Sequence, residues 1–303
     1  MNTLEGFVRP TRRPGARNYV FVVPSVVCST LLARQIADAV GAVTVSHQHG
    51  CGHIGPDIVQ ARDLFVGLAA NPNVAEALIA SLGCETVQGK HVAAELQRRG
   101  HRGRLVGIQD SGGHDAALQA GIATARELIA TTENETRATV GTDQLTVGIV
   151  ASRPDPHARA LIDRAVDAGA HVVIAVDRAA ASLIPDAARS VAVGETSTSP
   201  VSYVSNAGSG AQLLAAAASC GAQVLVDFPD PAQPPQGFAV APVISVASGI
   251  GLHTLIADDF DVDSAVDPGA ILTEVADVFG GKPVKAELRG SAAFAIPRML
   301  RTM

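Results

Sequence analysis

From residue 19 to residue 130 the chain alternates between runs of β-branched and apolar residues and segments with helical spacing. That alternation constrains the fold more than any other feature. Tyr19–Val27 reads as a strand, and Ser29–Val40 as a helix with Leu31, Leu32, Ile36 and Val40 near one face. The pattern continues with strands at Ala42–Ser46, Ala77–Leu82 and Arg104–Ile108, and helices at Ile58–Leu68, Val92–Arg99 and Asp115–Ile129. Strands and helices alternating at this spacing predict a parallel, doubly wound sheet. The stretch Thr131–Thr142 is polar and aperiodic, and the pattern restarts beyond it. Strands are expected at Leu145–Val150, His171–Val176, Val191–Val193, Val201–Ser205, Gln223–Phe228 and Val243–Ala247. Helices are expected at His157–Ala168, Ala179–Ala188, Ala211–Ser219 and Leu272–Phe279. The expectation is an α/β protein of two doubly wound, mainly parallel-sheet domains, 1–131 and 143–303, joined by a linker at 132–142 and facing a shared crevice.

Composition narrows the chemistry. Trp is absent and aromatics make up 3% of the chain, so the core has to be built from Ala, Val, Leu and Ile. A net charge of −6 argues against a nucleic-acid partner. No apolar run is long enough to cross a bilayer, and the first residues lack the apolar segment of a secretory signal. Four cysteines in a chain of 303 residues then fit a reduced, cytoplasmic setting, with thiols serving as ligands, nucleophiles or small buried hydrophobes.

Three of those cysteines stand where a strand hands over to a loop or helix: Cys28 after YVFVVPSVV, Cys51 in SHQHGCGH, and Cys84 after ALIASLG. Strand carboxyl ends converge on one crevice in an open α/β sheet. Three thiols there, with His47, His49, His53 and Glu85 nearby in sequence, match the donor chemistry of a metal or iron–sulfur site. The spacing H-x-H-x-C-x-H is no zinc-finger signature and there is no CxxC, so a plain loop of solvated histidines competes with this reading. Glu85 has the chemistry of a general base or ligand, and equally that of an acid at a helix start. Gly112 and Gly113, ahead of His114, make a helix N-terminus that can take a carboxylate, although Asp110 or Ser111 capping that helix is the ordinary alternative. Arg17 can clamp a carboxylate bidentately or simply lie at the surface. Asn206–Gly210 is a weak dinucleotide signal, because Leu213 occupies the place of the third glycine. The acidic run Asp258–Asp263 reads as a solvated turn, and Cys220 as core packing.

Taken in order, GARN, VVPSVVCS, SHQHGCG, NPN, SLGCETVQ and IQDSGG resemble the middle domain of the altronate/galactarate dehydratase family, which includes the large subunit of sulfolactate sulfo-lyase. The second half resembles that family's last domain more faintly, through LTVGI, DAGAHVVIA, GAQVLVDF and APVISVASG. The family's Cys-Gly-Gly-Ser-Asp stretch is replaced by Ala151-Ser152-Arg153-Pro154-Asp155, and its Thr-Thr-Gly-Arg-Gly loop by Asp227-Phe228-Pro229-Asp230-Pro231. The resemblance implies an iron-dependent hydro-lyase that eliminates water from a sugar acid or small hydroxy-acid. A sulfo-lyase-type C–S elimination and a metabolite-binding relative without turnover are the alternatives. It implies Cys28, Cys51 and Cys84 as ligands of iron, as Fe2+ or an iron–sulfur cluster ahead of zinc or manganese; His49 and His53, which replace other residues of the family, are further metal-ligand candidates of this chain's own. His47 and Glu85 would be catalytic. Arg17, Asn18, Gln88, Gln109, Gly112, Gly113 and His114 would hold the substrate carboxylate and hydroxyls. A small SAF-like subunit, or further copies of the chain, would be its protein partners, with neither nucleic acid nor membrane among them.

Overall fold

The structure is a computed structural model that describes residues 3–263 and 265–300. It opens with strand β1 (Thr3–Phe7), followed by β2 (Tyr19–Pro24), helix α1 (Thr30–Val40), β3 (Val43–Thr44), α2 (Pro56–Ala69), β4 (Val74–Ser81), α3 (Gly89–Arg98), β5 (Gly103–Gly107) and α4 (His114–Thr132). Strands β3, β2, β4 and β5 lie side by side in that order, all parallel. β2 is buried on both faces from Val20 to Pro24, as a central parallel strand requires. One face of the sheet packs on α1 and α4 through Leu32, Ile36, Ala117 and Leu128. The other packs on α2 and α3 through Leu64, Phe65, Val92 and Leu96. Helix α1 stops at Gly41, whose φ of 71° is the left-handed conformation that ends helices.

The segment read as a linker carries a strand of its own. β6 (Arg137–Gly141) pairs antiparallel with β1, Thr3 opposite Gly141. Its polar composition hid it, because this two-stranded ribbon keeps much of its surface in water. Arg137 anchors it by donating to Phe279 O at 2.8 Å and Ala16 O at 2.7 Å.

The second unit runs β7 (Thr146–Ala151), α5 (Pro156–Asp167), β8 (His171–Val176), β9 (Arg189–Val191), β10 (Val201–Val204), α6 (Ala211–Ser219), β11 (Val224–Phe228), β12 (Val243–Ser245), α7 (Pro268–Phe279) and α8 (Lys285–Leu288). Its six strands are parallel in the order β12-β11-β7-β8-β10-β9. Helices α5 and α7 cover one face through Leu161, Ile162, Val275 and Phe279, and α6 covers the other through Leu213 and Leu214. Asp155 caps α5 by accepting from the backbone of His157 at 2.8 Å, with Pro156 in the first turn. The helix expected at Ala179–Ala188 is only a short 3-10 turn, Arg178–Leu183, ended ahead of Pro185.

The fold class is α/β with parallel sheets, as expected. Between the two units lies a pocket of about 320 Å³, lined by Gln60 and Asp63 of the first and Val193 and Asn206 of the second, rather than a deep crevice. Helices α2 and α6 pack directly on each other, and one apolar cluster runs from Phe21 and Phe65 through Leu214 to Val243. At Gly67 a Cβ atom would stand 2.3 Å from Ser219 O, so only glycine allows that approach. A C-terminal strap then bridges the helix starts of both units. Gln212 of α6 donates to Ile296 O at 3.0 Å, and Gln60 of α2 donates to Pro297 O at 2.9 Å. Phe294 stacks on Phe238 with ring centres 6.2 Å apart, and Ile296 is buried.

Candidate functional site

The loops that follow β2, β3 and β4 meet at the carboxyl edge of the four-stranded sheet. Val27 N donates to His49 O at 2.7 Å, and Thr86 N donates to Gly50 O at 3.3 Å. Thr86 Oγ1 reaches Cys51 O at 3.3 Å. These bonds lay Cys28, Cys51 and Cys84 along one rim, all three exposed. Gly50 is what allows the loops so close: its φ is 135°, and a Cβ there would fall 2.4 Å from the Val26 side chain. The thiols share an electrostatic field. Partial burial and the charges of Cys28, Cys84 and Glu85 all push the Cys51 thiol above its ordinary pKa. Among the described residues no three His, Cys, Asp or Glu side chains form a ready-made metal cage. What fits iron here is the donor type, three accessible thiols on stitched loops.

The acid and base groups beside the thiols are tied down. Glu85 is 2% exposed. Its carboxylate accepts from Ser25 Oγ at 2.9 Å, Gly83 N at 2.5 Å and Gly89 N at 3.3 Å. Burial opposes its ionisation, but the backbone N–H groups and Ser25 outweigh it and hold the carboxyl below its ordinary range. Gln88 Nε2 donates to Glu85 O and so closes the same loop. His47 is buried between Phe65 and Phe294. Its Nε2 donates to Pro24 O at 2.9 Å and its Nδ1 accepts from His49 N at 3.3 Å. Those two bonds fix the tautomer and leave no lone pair for a substrate. Burial lowers its pKa.

His53 is the opposite case. It is 3% exposed, and neither ring nitrogen has a hydrogen-bond partner. Leaving a buried polar group unpaired costs about 1–3 kcal/mol, a cost that calls for a reason. His49 faces it edge-on with ring centres 5.6 Å apart. Burial first, then the charge of Arg298, lowers the pKa of both rings. Arg298 arrives on the C-terminal strap. Its Nε lies 3.3 Å from Asp57 Oδ2, and the side chains are 13% and 0% exposed. Asp57 also accepts from Met299 N at 2.7 Å and Leu300 N at 3.4 Å. Burial works against that carboxylate, and these donors together with Arg298 hold its pKa down.

Several expected site residues lie elsewhere or serve the scaffold. Arg17 and Asn18 precede β2, whose six residues carry the chain ~20 Å to the thiol rim. Arg17 forms a bidentate pair with Glu287 at 2.7 and 2.8 Å and donates to Val278 O and Lys282 O, so it has nothing left for a substrate. Asn18 bonds to Arg9 and Thr132 O. His114 bonds to Gln35 on α1 at 2.7 Å. Gln109 lies over Gly83 beside the Cys84 loop, and Gly112 and Gly113 take positive φ in the turn that starts α4. The Asn206–Gly210 turn is spanned by the strap, because Gln212 bonds both Ser209 N and Ile296 O. The acidic run is an internal brace, Asp261 accepting from Ser245 N at 2.9 Å and Lys285 N at 2.8 Å. Cys220 is buried core, as read. Arg298 and Asp57 went unread. The local sign of them was the apolar pair Phe294 and Ile296 ahead of Pro297, in a tail otherwise without periodicity. A large open groove of about 1150 Å³ among β1, α5 and α7 holds none of these groups.

Comparison with known proteins bears on the first half of the chain. Residues 6–133 match the family model described as D-galactarate dehydratase/altronate hydrolase, second domain. An altronate dehydratase of Bacillus subtilis is 24% identical over 164 residues, covering 50% of this chain and 33% of the relative. An altronate dehydratase of Escherichia coli is 31% identical over 85 residues, covering 24% of this chain and 17% of the relative. The aligned stretches thus span a third or less of these relatives. A C2-type ketoreductase structure aligns at 12% identity with a TM-score of 0.21, too poor a superposition to bear on the fold. Residues 6–133, the part that carries the thiol rim, are thus similar to the second domain of the D-galactarate dehydratase/altronate hydrolase family.

Proposed function

We propose that the chain is a metal-dependent hydro-lyase acting on a sugar acid or small hydroxy-acid, with Cys28, Cys51 and Cys84 holding iron. The observation that carries the reading is the convergence of three exposed thiols on one sheet edge, inside the part of the chain that matches the dehydratase domain. Bound iron would supply Lewis-acid polarisation of the hydroxyl that leaves. The chain's own residues do the rest. Glu85, held ionised by its four donors, places a fixed negative charge beside the thiols and locks the Cys84 loop. His47 clamps the end of β2 to the His49 loop, which sets the Cys28 and Cys51 backbones side by side. Both are positioning residues. Gln109 and the Gly112-Gly113 turn border the same edge and offer polar contacts to hydroxyl groups.

The test is anaerobic purification with metal analysis, then incubation with altronate or galactarate and measurement of the 2-keto acid formed. Stoichiometric iron and product formation support the reading. Iron-free protein that converts neither acid overturns it. One observation favours a second reading, a metabolite-binding member of the family without turnover: both ring nitrogens of His47 are taken by the backbone, and the Glu85 carboxylate is pinned by Ser25 Oγ, Gly83 N and Gly89 N. Tight binding of the acids with no product, in iron-loaded protein, is its signature. A sulfo-lyase would instead release sulfite from a sulfonated hydroxy-acid, with a small SAF-like subunit co-purifying.

A further inference from the structure

The strap delivers a cation to the rim. Within the described residues Arg298 bonds only through Nε, to Asp57, while Asp57 fills its other positions with the backbone of Met299 and Leu300. Among the described residues the remaining fork of the guanidinium has no partner, and the Asp57 that holds it stands four residues after His53, at the start of α2. Next to it His53 is buried with two unpartnered ring nitrogens. A metal cation would have to sit against that guanidinium, which disfavours it. An anion there would suit an Arg fork and a ring N–H donor, the pair of donors that recognises a carboxylate. We propose that Arg298, His53 and His49 form the carboxylate-binding end of the thiol-rim site, taking one carboxylate of a hydroxy-acid, and that the two histidines are not metal ligands. The proposal rests on the reading that a hydroxy-acid is bound at this rim. It gives the C-terminal strap a role in the site as well as in holding the two units together.

The test is calorimetric titration of the full chain with galactarate, altronate and adipate, the last having no hydroxyl to lose, and with neutral galactitol. Wild type is expected to bind the acids and not galactitol. Arg298→Met should weaken the acids about tenfold or more, the scale of one charge-assisted contact, and Arg298→Lys should fall between. His53→Phe should lose affinity similarly while its thermal midpoint stays level or rises, since the ring nitrogens have no partner to lose. That variant leaves the Arg298–Asp57 pair intact and reads the proposal even if Arg298→Met fails to fold. Unchanged acid affinity in Arg298→Met or His53→Phe, or a wild type that takes none of the three acids, overturns it. Failure of the lyase reading looks different: the acids bind through Arg298 and none is converted.

Discussion

The carboxyl edges of the two sheets are built from the same kind of parallel scaffold, and they end in opposite states. The first leaves three thiols in solvent and one imidazole without partners. The second is sealed. Asp227, at the end of β11, is 6% exposed and lines a cavity of about 10 Å³ with Ser152, Gly210 and Gln233, room for a single water at most. The loops beyond it brace one another. His253 takes Ser248 N at 2.9 Å, and Asp261 ties Ser245 to α8. Ligands collect at such edges in doubly wound folds, so the open edge is where the proposed chemistry has room and the closed one is not. The difference also fits the sequence, where Pro229 and Pro231 stiffen the loop that follows β11.

The largest expected effect tests the sealed edge. Burial pushes the Asp227 carboxyl up to about 7. The folded state therefore keeps this proton to higher pH than the unfolded chain, which releases it near the ordinary Asp value of about 4. Stability from this group is full below about pH 4 and is lost as pH rises through about 7. Roughly three units correspond to about 4 kcal/mol. Asp227→Asn should remove that loss, so the difference in unfolding free energy between variant and wild type should grow from pH 4 to pH 8. A flat difference across urea titrations would mean that the edge is wetter than described.

The next tests the far end of the first sheet. Arg17→Ala strands Glu287 in a half-buried site and frees the Val278 and Lys282 carbonyls, which should cost about 3 kcal/mol in chemical denaturation. Acid binding at the rim should stay unchanged in the folded variant. A loss of affinity matching the loss of stability would restore Arg17 as a ligand of the substrate and dissolve the contrast between the two ends of β2.

What the sequence could show and what it could not follow from the range of the forces. The strands and most helices were legible because β-branched runs and helical periodicity are local signals. The thiol rim was legible because a parallel sheet sends every strand end to one edge, so Cys28, Cys51 and Cys84 had to come out on the same side. Arg17 was misread because the carboxylate that saturates it, Glu287, lies 270 residues away. His47 looked like a base because its partners are backbone atoms, Pro24 O and His49 N, which no residue type announces. Strand β6 was hidden by exposure, and Arg298 by an aperiodic tail whose position is set by backbone bonds to Asp57 and Gln60.

The smallest effect on stability is expected from the three rim thiols to which the proposed function gives the metal. Cys28, Cys51 and Cys84 are exposed, and serine at each should change the unfolding free energy by no more than about 0.5 kcal/mol. Iron content should fall sharply in every one of the three, because a rim of two thiols lacks the donors to hold it. Cys220→Ser is the control in the other unit. That thiol is 1% exposed, its Sγ lies 3.4 Å from Ala192 O, and burial pushes its pKa up to about 11. Its replacement should cost stability, about 1 kcal/mol for a new buried hydroxyl, and leave iron untouched. The four variants thus separate two uses of one residue type, thiol as ligand and thiol as packing. Iron lost from Cys220→Ser, or retained in all three rim variants, would place the metal elsewhere and leave the open edge with only its carboxylate end.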